Sequence, residues 1–445
     1  MAASLRPAEA KTAADPALLT TTLTPFGSER AGNADGSVPA WTGGMASAPL
    51  PPDQDVNIQI FTDEKPLYTV SSSNMAQYQD MISPGTQALM QKGMTLNVFQ
   101  THRTMAAPQY VLDNIAKNVT RAKLDPRGGR LGFSGAFGGK PFPIIDTSDP
   151  YVAGAQLIWN HLVSWPGAYS IVEKFSPGFV VANDRMILTN AAKNTYLYPY
   201  YDPNGSPETF DGYFLKIHPY NLAPAAAMGQ EYVIWQSTNV LEKPDITWGL
   251  VNGQGRVRKE PDEAYDTPNS ETNGITNLDD ATGFLGSPQR YDWNLIGKKE
   301  MLIPYNNNAM HFAQAQDLVQ PGFPNPTFIR WEKHRVWMVE ATLHPGERNV
   351  TARRVIWCDE DTGAITLADC YDSDGDLYKT IATFNRVIPS APGVIAGAYV
   401  AVNLRSGDYT YTGGISTGDR TDPEYYTQQA PGVFDPQQMA ASAAF

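Results

Sequence analysis

Cysteine is nearly absent, with Cys358 and Cys370 the only two in 445 residues. That excludes a disulfide scaffold, and without a second pair or a nearby His pair it excludes zinc of ordinary spacing. Basic residues are also few. Lys and Arg number 33 against 46 Asp and Glu, a formal net charge of −13 that repels phosphate backbones and excludes nucleic acid as a partner. No apolar run approaches the ~20 residues of a spanning helix, so the chain is not membrane-spanning. The start, Met1-Ala2-Ala3-Ser4-Leu5-Arg6-Pro7, lacks the basic and apolar regions of an export leader. It reads either as a mature exported chain behind an added Met or as the loose start of a cytosolic one.

Catalytic signatures are missing too. There is no G-x-S-x-G elbow, P-loop, H-E-x-x-H helix or dinucleotide fingerprint after a strand. The tract Gly128 to Gly139 is glycine-rich but runs into Lys140-Pro141-Phe142-Pro143 rather than a helix, so it is no phosphate cradle. The histidines (His102, His161, His218, His311, His334, His344) stand singly. Asp372-Ser373-Asp374-Gly375-Asp376 alternates carboxylates, but its Gly comes too early for a calcium loop and Thr383 stands where the closing Glu belongs. It reads as a turn. No catalytic residue, metal or cofactor is expected.

What is present points to strands. Gly (37), Pro (35), Tyr (22) and Trp (9) are plentiful, and a chain this long buries about three quarters of its unfolded surface. Residues 1–70 read as an irregular arm. Helical patterns open at Ser73 and again at Pro84 and follow at 108–122 and 150–164, so 71–165 reads as a helical lid. From 166 to 415 the period becomes two, in runs such as Tyr213–Ile217, Glu231–Trp235, Val336–Leu343, Ala352–Trp357, Tyr378–Phe384 and Ala398–Val402. Residues 416–445 read as an irregular tail, and no break divides the chain into domains. The expectation is α+β, mainly β: one large curved antiparallel sheet, a half-open β-barrel, covered by helices. Glu260 to Ser287 is a long polar connection, functional or simply a solvated crossing.

Ile356 to Leu367 reads as strand, turn, strand, which puts Cys358 and Cys370 on neighbouring strands. If the register centres near Ala364 they share a face and form a disulfide; otherwise they are two buried small hydrophobes. The aromatic load of the strands has two readings. The rings fill the core, or an under-filled sheet leaves a hydrophobic cavity lined by Trp235, Trp248, Trp293, Tyr305, Trp337, Val339 and Trp357. Arg256, Arg258, Arg353 and Arg354 sit on strands, where they face solvent or pair with acids such as Asp279, Asp280, Asp359 or Glu360. Arg256, Arg258 and Arg353 are alternatively a cavity mouth that meets an anionic headgroup.

Several segments carry a resemblance. They are Leu23-Thr24-Pro25-Phe26-Gly27-Ser28-Glu29-Arg30-Ala31-Gly32-Asn33-Ala34-Asp35-Gly36 with Pro39-Ala40-Trp41-Thr42-Gly43-Gly44, Thr101-His102-Arg103-Thr104, Tyr291 to Glu300 with Pro304-Tyr305-Asn306, and His334 to Ala341. Together they resemble an uncharacterised family of Gram-negative periplasmic proteins, a domain of unknown function similar to the outer-membrane lipoprotein-sorting (LolA/LolB-like) carriers. The resemblance implies a half-open barrel with a helical lid and a hydrophobic cavity. It further implies periplasmic localisation, partnership with an RND-type inner-membrane exporter and an outer-membrane protein, and carriage of a lipid or other hydrophobic molecule. It supplies no catalytic residues. Two rival readings remain: a hydrolase using His102 or His334, and a structural adaptor with a solid interior and an exposed apolar patch.

Overall fold

Proline and side-chain caps start the longer helices. In α1 (Pro84–Gln91) the Ser83 hydroxyl accepts from Thr86 N, and Pro84 occupies the first turn, where an N–H has no partner to find. α2 (Gln109–Arg121) follows Pro108 and buries Val111, Ile115 and Asn118. α3 (Pro150–Leu162) is capped by Asp149, which accepts from Tyr151 N and Val152 N. The computed structural model describes residues 14–47, 58–250, 256–260, 265–414, 424–425 and 431–442; the first residues, Met1 to Pro7, lie outside them, as does the Asn252-Gly253 pair that the sequence marks as a turn signal.

Short strands β1 (Tyr68–Val70), β2 (Leu96–Val98), β3 (Lys123–Leu124) and β4 (Phe133–Ser134) lie among the helices. The long run then begins with β5 (Ser170–Ala182), β6 (Arg185–Leu197), β7 (Tyr213–Ala223), β8 (Glu231–Ser237), β9 (Ile246–Leu250) and β10 (Arg258–Lys259). It continues through β11 (Tyr291–Pro304), β12 (Trp331–Leu343), β13 (Arg353–Asp359), β14 (Ile365–Tyr371), β15 (Leu377–Val387), β16 (Val394–Asn403) and β17 (Tyr409–Gly413). Across the sheet these strands run β11-β12-β13-β14-β15-β16-β17-β5-β6-β7-β8-β9-β10, each antiparallel to its neighbours. A parallel contact between Val98 of β2 and Trp331 of β12 makes the sheet mixed. Among the described residues β10 pairs with β9 alone and β11 with β12 alone. The protein is therefore mainly β with few helices, and the sheet does not close into a barrel.

Both faces of the central strands are covered, by different kinds of chain. On one face α1 docks against β14 and β15, close enough that Gly85 N donates to Asp369 Oδ2 at 2.8 Å. The opposite face carries the 265–287 connection, which meets the sheet through the short 3₁₀ turns Ser270–Thr272 and Leu278–Gly283 rather than an α-helix. α3 packs on β11, and only glycine fits at the contact: a Cβ on Gly154 would lie 2.2 Å from Trp293 O. One hydrophobic cluster runs through these layers, and a small second one (Val233, Leu250, Met439) lies under the C-terminal helix Pro436–Ser442.

The disulfide reading is corrected by register. Cys358 stands opposite Ile365, and Cys370 opposite Arg354, so the β13–β14 hairpin centres near Thr362 rather than Ala364. Four residues along a strand is ~13 Å, twice the reach of a disulfide. Both thiols are free and fully buried. Burial pushes the Cys370 thiol up to about 11 and Cys358 higher still. A thiol reagent should therefore label neither cysteine in the native protein and both after denaturation without reductant; a native count of zero that stays at zero on unfolding would restore the bond.

Candidate functional site

The connection from 265 to 287, here called the strap, lies across the sheet face opposite α1. It holds its shape with its own polar groups: Asn269 N donates to Thr276 O, Leu278 N to Thr267 O, and Asn277 N to Asp280 Oδ2. Most of its sheet-facing side chains are polar, although Phe284 is buried and Ala281 packs against the core. Thr272, Thr276, Asn277, Asp279 and Asp280 are all buried. At one end Thr189 of β6 donates to Glu271 O at 2.6 Å. At the other, Phe284 packs edge-on to Trp293, centroids 4.9 Å apart, and its carbonyl accepts from His161 Nε2 at 2.8 Å.

Under the strap lie two basic strand residues. Arg354 of β13 and Lys379 of β15 flank Cys370 of β14 in one cross-strand row, Arg354–Cys370–Lys379. Lys379 Nζ bonds Asp280, while Arg354 Nη2 lies 3.2 Å from Asp280 Oδ1 and 3.4 Å from Asp279 Oδ2. Burial pushes the Asp279 carboxyl up to about 6, against the pull of Arg354. Asp280 is also opposed by burial, but Lys379 and Arg354 outweigh it and hold the group below its ordinary range. These four groups are at most 2 % exposed.

Beside that row runs an apolar one. Register aligns Ile356, Ala368, Ile381, Ala401, Thr410, Val180 and Ile187 on one face across seven consecutive strands, β13 to β6. The first six are buried, and Ile187 emerges at 52 % exposure, two residues from the Thr189 contact with the strap. At ~4.8 Å per strand, Lys379 and Ile187 lie on strands ~19 Å apart. Met186 and Leu188, on the other face of β6, are also exposed. The neighbouring β7–β8 turn, Pro224-Ala225-Ala226-Ala227-Met228, exposes Met228.

The expected cavity residues scatter. Trp293 and Val339 extend the two rows just described, opposite Ala341 and Ile356 respectively. Trp337 shares their face but sits half-buried, with Lys298 Nζ 5.1 Å above its ring. Trp357, opposite Met338, faces the other side. Tyr305 stacks on His334 at 4.0 Å, and Trp235 packs on Trp248 in the small cluster, bonded to Phe434 O. Of the expected mouth residues, Arg256 and Arg258 are exposed at the β10 edge. Arg353 pairs with Glu340 at 3.0 Å and lies 3.6 Å over Tyr371. Arg354 pairs with Asp279 and Asp280, as its sequence context allowed. Lys379 was not singled out; a lysine inside the apolar run Tyr378–Phe384 was the available signal.

The motif segments meet elsewhere, at the far end of β12. Gly27 (φ +87°) turns the chain against Pro143, whose carbonyl oxygen would be 1.7 Å from any Cβ there. Ser28 then donates to Asp361, which Arg103 grips through Nε and Nη2 at 2.9 and 2.6 Å. Lys298 bonds Glu29 and Glu360, Arg335 donates to Ala31 O, and Asn33 donates to Glu300. A crevice of about 160 Å³ remains between Val38, Arg103, His334, Arg335 and Asp359–Asp361, too narrow to admit a water-sized group. His334 turns Nε2 to Glu332 (3.1 Å) and Nδ1 to Asp359 (3.8 Å), and His102 Nε2 meets Glu64 at 2.6 Å. Among the described residues no Ser or Cys hydrogen-bonds to either ring, and no group of three His, Cys, Asp or Glu could hold a metal. Ser28, Arg103 and Asp361 here make a clasp for the amino-terminal segment.

A family model described as "Protein of unknown function (DUF1329)" matches residues 69–440. An uncharacterized protein of Pseudomonas aeruginosa is 31% identical over 434 residues, 93% of this chain and 92% of that one. The chain belongs to the DUF1329 family. Among solved structures, a DUF1329 protein from Desulfovibrio piger overlays with a TM-score of 0.45 at 16% identity, covering 66% of this chain and 100% of that one. A putative outer membrane lipoprotein-sorting protein domain from Vibrio parahaemolyticus scores 0.42 at 13% identity, covering 62% and 94%. A LolA superfamily protein from Nitrosomonas europaea scores 0.35 at 11%, covering 61% and 92%. These scores are too low for a neighbour's role to pass to this DUF1329 protein.

Two outcomes follow from the fastenings. His161 accepts from Ile365 N at 3.0 Å through Nδ1 and donates to Phe284 O, so burial holds it neutral, its pKa lowered to about 4. The unfolded chain binds that proton below pH ~6.5, so stability is lost as pH falls from there to about 4. Replacing His161→Gln should remove about 1.4 kcal/mol per pH unit of that slope in denaturant titrations. Removing one partner of the buried clasp, Arg103→Met or Asp361→Asn, should cost about 3–5 kcal/mol, and the double variant less than the sum.

Proposed function

We propose that this DUF1329 protein is a periplasmic carrier or binding protein for a lipid or other hydrophobic molecule, working with an RND-type exporter and an outer-membrane partner. The cargo occupies the sheet face that the strap covers in this structure, and the strap moves to admit it. One observation carries the reading: a single row of small and aliphatic side chains runs from exposed Ile187 under the strap to Ile381, Ala368 and Ile356. A cover that never moved would be expected to meet those residues with apolar side chains. Apart from Ala281 and Phe284 near one end, the strap instead presents Thr272, Thr276, Asn277, Asp279 and Asp280, groups that water can solvate again on release. The ligand gains what the strap does not supply, apolar contact worth roughly 25 cal/mol per Å².

A second reading, a non-catalytic envelope adaptor, is favoured by the exposed side chains of Met186, Ile187, Leu188 and Met228 on two adjoining hairpins. The two readings separate in one experiment. Protein purified from cells is examined by native mass spectrometry, then titrated with a fluorescent hydrophobic probe. The carrier co-purifies with or takes up one equivalent, and Ile187→Glu slows uptake about tenfold without changing the melting temperature. A chain that takes up no hydrophobic molecule under any condition, yet still captures an envelope partner through these hairpins, is the adaptor.

A further inference from the structure

The fastening of the strap leaves good hydrogen-bonding capacity unused. Arg354 is fully buried beside the Tyr291 hydroxyl, and its Nη1 hydrogen-bonds Gly283 O at 2.7 Å and Asp279 O at 3.4 Å. Its Nε and Nη2 have no hydrogen-bond partner, nor do Asp279 Oδ1 and Asp280 Oδ1, although the opposite charges lie 3.2 to 3.4 Å apart. The strap's carboxylates thus neutralise the guanidinium without engaging its fork. A guanidinium edge whose Nε and Nη2 make no directed hydrogen bond to those carboxylates matches one anion presenting two oxygens. Lys379 offers a second cation two strands away on the same row.

The surroundings restrict what that anion can belong to. Ile356, Ala368 and Ile381 flank Arg354, Cys370 and Lys379, two residues along each strand and on the same face. If the strap leaves, two cations are bared at the inner end of an apolar row, at a cost several kcal/mol too high to stand unpaired. We infer that Arg354 and Lys379 form the receiving site for the anionic head of an amphipathic ligand, with Asp279 and Asp280 as its internal surrogate. The tail then follows Ile381, Ala401, Thr410 and Val180 toward Ile187. This rests on the carrier reading and narrows its cargo from hydrophobic molecules at large to acyl chains bearing a carboxylate or phosphate.

The test compares binding of a long-chain fatty acid, the alkyl phosphate and the alcohol of equal chain length by the full-length protein, at one pH and ionic strength. The wild type should prefer an anionic head by at least tenfold, and which of the two anions wins names the head group. The charge-balanced variant Arg354→Gln with Asp279→Asn, checked for an intact fold by circular dichroism, should lose that preference. Equal binding of acid, phosphate and alcohol by the wild type overturns the head-group site and leaves the carrier standing. An unchanged preference in the balanced variant overturns the assignment to Arg354. Failure of every amphiphile to bind overturns both readings.

Discussion

A sheet covered on both faces buries polar groups of its cover, and the rest of this structure turns on how far those groups find partners. Helices meet that need internally, because their backbone bonds close within the element. The strap and the amino-terminal segment cannot, so they depend on turns, Asn side chains and ion pairs. The side chains of Asn33, Asn269, Asn306 and Asn349 bond backbone or carboxylate groups in or beside these segments. The strap adds two buried carboxylates, Asp279 and Asp280.

Buried ion pairs of this kind contribute little net stability, since desolvation offsets most of the attraction. What they supply is position. Arg103 and Asp361 fix where the amino-terminal segment crosses the end of β12, and Arg354, Lys379, Asp279 and Asp280 fix where the strap crosses β13 to β15. The two arrangements differ in quality. The clasp uses a forked guanidinium–carboxylate contact on Asp361, whereas the Arg354 fork under the strap is unfilled. A fully engaged clasp suits a permanent attachment, and an incompletely bonded one suits a cover that leaves.

Much of the architecture was legible in the chain. Helical spacing of apolar residues marked α2 and α3, Pro84 after Ser83 marked α1, and the change to period two marked where strands begin. Strands such as Arg185–Leu197, with polar residues on both faces in their outer half, hid because alternation is visible only where one face is buried. The segments that carry the family resemblance were also visible, but as separate runs: their meeting around Asp361 joins residues more than 300 positions apart. The aromatic rings misled for a simple reason. A ring's identity does not tell which face of its strand it occupies, and Trp357 and Trp293 lie on opposite ones.

By itself the sequence determined the mainly β class, the helix starts, the lack of familiar catalytic and metal signatures, and the family. These depend on local period, capping chemistry and motif identity, each expressed within a few residues. Only the tertiary structure decided the cysteine separation, the polar underside of the strap, and the unbroken row from Ile356 to Ile187. All three depend on strand register, and a slip of one residue turns every side chain of a strand to the other face. Period alone does not set that register; it is decided when turn geometry and the covering chain fit the sheet together.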